Sequence, residues 1–456
     1  GHEQEDAMRR FNLSLRSFTS IRAFVPQVAA VLAVFALSGT AHGEPKTITL
    51  EQAYLAALES HEGVKLAMEG IGLAETTLDK STSRLLPTLT AEGGFTRFSE
   101  QKRTSTGALI QPDDSTRLDV KLTQPLYSGG REWAFRRQAK LNIERSREEL
   151  DGRREEVMRL TARSYLGVLK AEKDVEIKKA ALARANERLK VASARLKVGD
   201  VTRSAVLRAE AEAAGAEAGL IKSESGLIDA NDLLKRIAGI TDEIRVVEPE
   251  LRPDGLPVDA TMKTAFERRK DYRQRVLEEK AAGEGITYAK GNFKPQLRLE
   301  GLYSWKEQNP QTPFFQQDSM SASVVLTYPI FEGGLRVAEL SEARSRFREA
   351  ELRRLSLKRD IEYEVRSAFN SKNATEALIN SYQKQLAFAE EDYNMVFEQF
   401  KHGVATTVDV IDADAILISA QRSLMNARYD LYLALIEINY KAGTLAIDPV
   451  KAQGAL

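Results

Sequence analysis

Asp409 and Asp412 stand three residues apart behind a glycine turn, in the run Gly403-Val404-Ala405-Thr406-Thr407-Val408-Asp409-Val410-Ile411-Asp412-Ala413. On a helix that spacing puts both carboxylates on one face. Two kinds of chemistry suit them. A cluster of such carboxylates attracts cations. Alternatively, Thr406 followed by Asp409 reads as a capping box, and acids favour a helix N-terminus. From the residues alone, capping is the stronger reading.

Enzyme chemistry finds little support. The four histidines, at 2, 42, 61 and 402, are far apart, so no histidine metal cluster is expected. There is no cysteine, which excludes disulfides, thiolate metal sites, thiol nucleophiles and lipid attachment through cysteine. No Ser/His/Asp arrangement and no glycine-rich phosphate loop appears. No catalytic residue, cofactor or metal is expected. Lys+Arg and Asp+Glu are both 66, so bulk charge does not point to nucleic acid. Apolar residues make up 43% and are periodic, which argues for a folded chain.

The elements that would hold these carboxylates come in two copies. Sliding the sequence by 204 residues lays 123–240 on 327–444 without a gap. Pro125, Gly129 and Gly130 fall on Pro329, Gly333 and Gly334; Gly199 falls on Gly403 and Gly239 on Gly443. Upstream, a slide of 208 places Pro87 on Pro295. Each half then reads as helix, strand pair, long helix, tight turn, shorter helix. Residues 131–197 contain no proline, and as one helix would run about 100 Å at 1.5 Å per residue. Val168, Val175, Leu182, Leu189 and Leu196 recur every seven residues, with Ala171, Ala185 and Ala192 three behind. This is a coiled-coil seam. Gly199 and Gly403 suit left-handed C-caps, so each half carries a helical hairpin, 131–238 and 335–441. The helices expected over 49–85 and 204–238 are each half as long and could stack end to end along the long one; 258–290 and 406–441 repeat the arrangement.

The strand pairs, 88–127 and 295–331, alternate apolar and polar residues. Leu118, Val120 and Leu122 alternate with Arg117, Asp119 and Lys121; Met320, Ala322, Val324 and Leu326 alternate with Ser319, Ser321 and Ser323. Such segments match outer-membrane strands, and a half-buried soluble sheet shows the same alternation. Pro87, Pro125, Pro295 and Pro329, with Gly129-Gly130 and Gly333-Gly334, mark where strands meet helices. Four strands cannot close a barrel, so a membrane reading demands a dimer with eight strands or a trimer with twelve.

The N-terminal 43 residues read as an address. Gly1 to Ala7 precede the first methionine, Met8, as a tag remnant or upstream extension. Arg9, Arg10, Arg16 and Arg22 precede an apolar run, Ala23 to Leu37, and Ala41-His42-Gly43 resembles a cleavage site. This is the pattern of a secretory signal peptide; the apolar run is too short for a spanning anchor. The remaining segments are 44–240, a linker 241–257 broken by Pro249, Pro253 and Pro257, then 258–444 and a tail 445–456.

With these features the chain resembles the TolC family of outer-membrane efflux and secretion channels. The resemblance rests on the duplicated plan, on Thr123-Gln124-Pro125-Leu126-Tyr127-Ser128-Gly129-Gly130 and its copy Thr327-Tyr328-Pro329-Ile330-Phe331-Glu332-Gly333-Gly334, and on Gly403 followed by Val408 to Ala413. It covers Ile48 to Thr444. It implies an α+β membrane protein: two pseudo-repeats giving four strands of a trimeric 12-stranded β-barrel, continued by a long periplasmic α-helical coiled-coil barrel. It implies a passive exit duct in the outer membrane, extending into the periplasm, of a tripartite efflux pump or type I secretion system. The implied partners are a second and third copy, outer-membrane lipid, a periplasmic adaptor, and an inner-membrane RND pump or ABC exporter. It implies that Asp409 and Asp412 ring a periplasmic gate. The family's gate tyrosine is Phe400 here, its gate arginine is Ala405, and a first-repeat aspartate is Ala205, beside Ser204. Val198, Gly199, His402, Gly403 and Val404 match tips that adaptors contact, though each serves equally as a plain C-cap. The rival reading is a periplasmic coiled-coil adaptor or scaffold with no membrane barrel, which would need no amphipathic strands.

Overall fold

The computed structural model describes residues 46–250, 257–312 and 315–445. The expected signal peptide, Pro253 of the linker and all of the tail beyond Leu445 lie outside the described residues. Residues 47–241 and 246–456 form one unit. The other unit comprises residues 1–46 and 242–245, of which only Lys46 and Asp242–Arg245 are described. Along the chain, β1 (Lys46–Ile48) is followed by α1 (Leu50–Ser60), α2 (Glu62–Ser83), β2 (Thr88–Arg97), a small hairpin β3–β4 (Lys102–Arg103, Leu109–Gln111) and β5 (Asp114–Ser128). Then come α3 (Arg131–Lys197) and α4 (Arg203–Ala238), the three-residue strand β6 (Ile244–Val246), α5 (Val258–Arg268) and α6 (Lys270–Gly291). The order repeats with β7 (Gln296–Asn309), β8 (Asp318–Thr327), α7 (Leu335–Lys401) and α8 (Thr407–Ala442).

The expected helices 49–85 and 258–290 are each broken in two, which the sequence reading did not foresee. The breaks are seats for the returning helices. At His61 the backbone turns extended, and its Nδ1 accepts from Gly63 N at 3.0 Å, restarting the helix. α4 ends against this break: a Cβ on Gly239 (φ 65°) would lie 2.3 Å from Ser60 Cβ, and Ser60 Oγ donates to Ala238 O. In the second half α8 ends at Gly443 (φ 66°), where a Cβ would meet Arg269 N at 2.8 Å at the α5–α6 break. Only glycine combines a left-handed turn with that approach. Arg269, itself buried, is held there by Asp271 and Glu364.

Beside this junction a cleft of about 260 Å³ is lined by Glu155, Lys270, Asp271 and Tyr440 among others. Burial, opposed by Lys270 and helped by Asp151, pushes the Glu155 carboxyl up from 4.5 to about 7. A raised acid pKa means the native state holds its proton more tightly than the unfolded chain. The stabilisation is therefore complete below pH 4.5 and is lost as pH rises through 7. Discounted for partial exposure, the effect is about 1–2 kcal/mol. Melting of the detergent-solubilised protein between pH 5 and 8 should show that decline, and Glu155→Gln should flatten it; an unchanged slope in the variant would assign it elsewhere.

The four long strands form one antiparallel sheet in the order β2-β5-β7-β8. Leu118, Val120 and Leu122 of β5 lie opposite Trp305, Tyr303 and Gly301 of β7, which lie opposite Asp318, Met320 and Ala322 of β8. Because opposed residues share a face, most apolar positions of the four strands fall on one side, Leu302 and Val325 being exceptions. That side is open: Leu89 is 71% exposed, Phe95 68%, Met320 88%, Val324 63% and Leu326 67%. The other face carries Glu92, Arg117, Asp119, Lys121, Arg298, Glu300 and the serines of β8. Among the described residues no helix is long and apolar enough to cross a membrane.

The duplication extends to strand register. Sliding Leu89 by 208 and its partner Leu122 by 204 lands on Leu297 and Leu326, which are themselves partners. Among the described residues, the outer edges of β2 and β8 have no neighbour in the sheet. Helix packing shows the same incompleteness. α3 packs on α1, α2, α4, α6 and α8, whereas α7 packs on α5, α6 and α8. Among the described residues, Tyr363 (74% exposed) and Phe388 (69%) of α7 stay open.

Candidate functional site

Each hairpin turns through a glycine whose φ is near 80°: Gly199 at 81° and Gly403 at 80°. The preceding caps are Val198 and His402, and the following helices have Thr202 and Thr406 as N-caps. The two turns meet around a cleft of about 480 Å³ whose lining includes Arg195, Asp200, Ser204, Phe400 and Thr406. Val198 and Val404 project from the tips, 78% and 76% exposed, and His402, Gly199 and Gly403 are also exposed.

At the second tip the capping box forms. Thr406 N and Thr406 Oγ1 both donate to Asp409 Oδ2 at 2.7 Å, and Asp409 N donates to Thr406 Oγ1 at 3.3 Å. The Thr406 side chain, then its backbone, holds the Asp409 carboxyl below the usual carboxylate range. Asp409 is nonetheless exposed, and so is Asp412, which has no hydrogen bond or ion pair among the described residues. Val410 and Ala413, the residues between and beyond them, are buried. The apolar face of α8 packs inward, so both carboxylates point out from the chain on one stripe. Ser204 lies exposed on the first turn of α4.

Phe400 sits differently. It is fully buried, in a cluster with Ala192, Val206, Ala389, Tyr393 and Val410. Arg195 of α3 lies over its ring, 5.3 Å from the centroid, and donates from Nη1 to Phe400 O at 2.8 Å. The residue thus joins the two hairpins.

The strand–helix residues act as corners. Pro87 and Pro295 immediately precede β2 and β7, Pro329 follows β8, and Pro125 lies at the register shift of β5 against β7. Proline fits there because no ladder donor is required. Gly129 and Gly130 take φ of 71° and 85°, Gly333 and Gly334 60° and 86°. At Gly129 a Cβ would also lie 2.3 Å from Gly291 O.

A polar cluster that the sequence reading missed lies above the tips. Arg184 and Arg188 of α3 reach Asp414 of α8, and Arg188 also reaches Glu212 of α4 and Tyr393 of α7. The only signal in sequence is Arg188 and Arg195 at the heptad interval beside the seam. Tyr393 and Asp414 lie more than 200 residues away on the other hairpin, where no local spacing reveals them.

Comparison with known proteins bears on this geometry. A family model described as outer membrane efflux protein matches residues 56–240 and 261–444, the two repeats. The chain is 26% identical over 411 residues to outer membrane protein TolC of Escherichia coli strain K12, covering 87% of this chain and 82% of that protein. It is 23% identical over 367 residues to the alkaline protease secretion protein AprF of Pseudomonas aeruginosa, covering 76% and 74%. Its fold matches the crystal structure of the outer membrane protein VceC of Vibrio cholerae with a TM-score of 0.75 at 19% identity, over 88% of this chain and 97% of that one.

Proposed function

We propose, from the premise that the chain belongs to the outer membrane efflux protein family, that three copies close one 12-stranded barrel continued by a helical duct. The broad role is that of the family: an outer-membrane exit channel for efflux or secretion, a passive conduit reaching into the periplasm and not an enzyme. The observation that carries the closed assembly is the sheet. It has one exposed apolar face, one charged face and two unpaired edges, and open edges are not tolerated in lipid. Twelve strands leave an aqueous lumen lined by the charged face. A coiled-coil adaptor without a barrel has no use for such a sheet.

In this reading the hairpin tips form the periplasmic entrance. Asp409 and Asp412 of three copies ring it, and Val198, Gly199, His402, Gly403 and Val404 present the surface for a periplasmic adaptor. An inner-membrane RND pump or ABC exporter then supplies substrate. Both efflux and secretion fit: the TolC and BepC relatives bear outer-membrane and efflux names, and AprF and PrtF bear protease-secretion names.

The test is assembly. The protein should leave outer membranes in detergent with the mass of a trimer; a stable monomer or dimer would remove the 12-stranded reading. Val324→Arg, on the apolar face, should impair assembly by about 2–4 kcal/mol near the bilayer midplane. Ser323→Arg, on the charged face, should assemble nearly as wild type. Equal behaviour of the two would mean that the apolar face does not meet lipid.

A further inference from the structure

Where the strands give way to helices, a cleft of about 770 Å³ opens between α3, α6 and α7, and Arg84, the C-cap of α2, closes one end. Small residues of α6 make its floor, Ala281, Gly285 and Ala289 among them. Gly285 sits mid-helix, where glycine weakens the helix. Neither backbone nor packing asks for it: its φ is not left-handed, and a Cβ there would meet nothing within 4 Å. Its effect is to leave space. Two rings edge that space. Phe135 of α3 and Tyr288 of α6 stand 6.4 Å apart, centroid to centroid, tilted by 60°. Each has an arginine over its face, Arg84 at 4.6 Å from the Phe135 centroid and Arg131 at 5.7 Å from that of Tyr288.

The charges of the cleft do not cancel. Its three carboxylates are each answered, Glu278 by Arg145, Glu342 by Arg346 and Glu339 by the Asn292 amide. The arginines beside the rings are not. Among the described residues Arg84 makes no hydrogen bond or ion pair. Arg131 donates from Nη1 to Asn292 Oδ1 at 2.8 Å, comes no nearer than 3.9 Å to Glu132, and leaves a buried Nε without a partner. The recess occurs once per chain. Under the 208-residue slide α2 falls on α6, which sets Leu73, Thr77 and Lys80 where α6 has Ala281, Gly285 and Tyr288. The 204-residue slide sets Leu335 and Glu339 of α7 where α3 has Arg131 and Phe135. The equivalent groove of the second repeat thus lacks both rings, Arg131 and the small-residue floor. Helix geometry gives the side on which the cleft opens. Trp133 lies two residues from both Arg131 and Phe135, about 200° around α3. Trp133 is 55% exposed and its counterpart Val337 65%. With exposed Tyr127 and Phe331 at the strand ends, they prolong the apolar face of the sheet down the helices. The cleft opens on the opposite surface, continuous with the charged face.

We propose that this cleft is a binding site for small planar aromatic anions, one per chain, on the inner wall of the duct just beneath the barrel. The aromatic body rests on the small residues of α6 against Phe135 and Tyr288. The anionic group meets Arg84 and Arg131, whose guanidinium donors suit a carboxylate, sulfonate or phosphate. Gln138 and Asn142, whose side-chain amides make no hydrogen bond among the described residues, serve polar substituents. The placement in the duct rests on the reading of the charged face as the lumen wall.

Equilibrium dialysis of the full assembly in lipid nanodiscs against 2-naphthalenesulfonate tests the site, with 2-naphthylmethanol and 2-naphthylmethylammonium as neutral and cationic probes of the same ring system. Expected is one sulfonate per chain, bound about tenfold more tightly than the alcohol, with the cation weaker still. Arg84→Gln removes a charge that touches only Phe135, so it should weaken the sulfonate about tenfold and leave the alcohol nearly unchanged. Gly285→Leu fills the recess from a position whose Cβ is free, and should abolish binding of both with assembly intact. Wild-type sulfonate binding in assembled Gly285→Leu, or a cation bound as tightly as the sulfonate, overturns the site and leaves the channel standing. If Gly285→Leu does not assemble, Arg84→Gln decides alone: weakened sulfonate binding supports the site and undiminished binding overturns it. Planar-bilayer recordings then test the placement. The sulfonate should lower the conductance of wild type and not that of Gly285→Leu, or of Arg84→Gln in its stead. Binding in dialysis with conductance unchanged overturns the placement in the duct, whereas an assembly that carries no current at all overturns the channel reading itself.

Discussion

Oxidation of a variant carrying Ser323→Cys and Thr96→Cys will join each copy to the next and yield a covalently closed trimer. The pairing follows from the duplication. Within the chain, Asp119 of β5 lies opposite Ser304 of β7. The 204-residue slide takes Asp119 to Ser323, and the reverse 208-residue slide takes Ser304 to Thr96. The same slides already convert the β2·β5 register into the β7·β8 register without a residue of slippage. Applied to β5·β7, they specify how β8 of one copy meets β2 of its neighbour. Directly opposed side chains in an antiparallel pair have Cβ atoms about 4.5–5.5 Å apart, close to what a disulfide needs. The chain has no native cysteine, so nothing competes. Both positions lie on the charged face, where an aqueous oxidant arrives through the lumen. Ser323→Cys with Thr90→Cys is the control, displaced by six residues or about 20 Å along the strand. Cross-linking of the control with none in the designed pair would disprove the register. The mapping also carries Tyr127↔Leu297 onto Phe331 and Leu89. Ile330 and Phe331, 88% and 84% exposed in the single chain, should therefore lengthen β8 on docking.

That register was latent in the sequence, and its legibility shows which physics is local. Alternation in Leu118–Leu122 and Met320–Leu326 located the apolar face, because side-chain direction in a strand depends on parity alone. Heptads in 168–196 located the seam, and Gly199 and Gly403 the turns, since left-handed backbone nearly demands glycine. The helix breaks at His61 and Arg269 were not legible. Neither residue is a breaker; each break answers to a distant glycine, Gly239 or Gly443, that packs against it. Phe400 is named by its alignment with a gate position, yet its burial under Arg195 depends on a partner 205 residues away. Arg188 and Asp414 escaped for the same reason. On α3 and α8 taken singly, each is one more charge among the 29% of residues that carry one. Only the crossing of two hairpins distinguishes a buried charge from a solvated face.

Asp409→Asn with Asp412→Asn will relieve block by divalent or trivalent cations added from the periplasmic side, weakening it by about tenfold or more. In the proposed trimer, three copies of the tip would bring six carboxylates to one constriction, and closely spaced like charges bind cations to relieve their own repulsion. The capping box does not remove Asp409 from that ring. It engages Oδ2 with Thr406, keeps the carboxyl ionised well into the acid range, and fixes the side chain at the start of α8. Capping and cation attraction therefore use the same geometry, and a charge-neutral, shape-conserving substitution separates them. Asparagine keeps an oxygen that can accept from Thr406, so the helix start and the trimer should survive. A site that only caps predicts undiminished cation block in the double variant. Because Thr406 lowers the Asp409 pKa, the wild-type block should persist as pH falls through the ordinary carboxylate range, while mutual repulsion in the trimer works against it. Recordings of both proteins from pH 7.5 downward read the two effects together. Equal block in wild type and double variant at every pH would reject the carboxylate ring; loss of block with normal assembly would assign the constriction to Asp409 and Asp412.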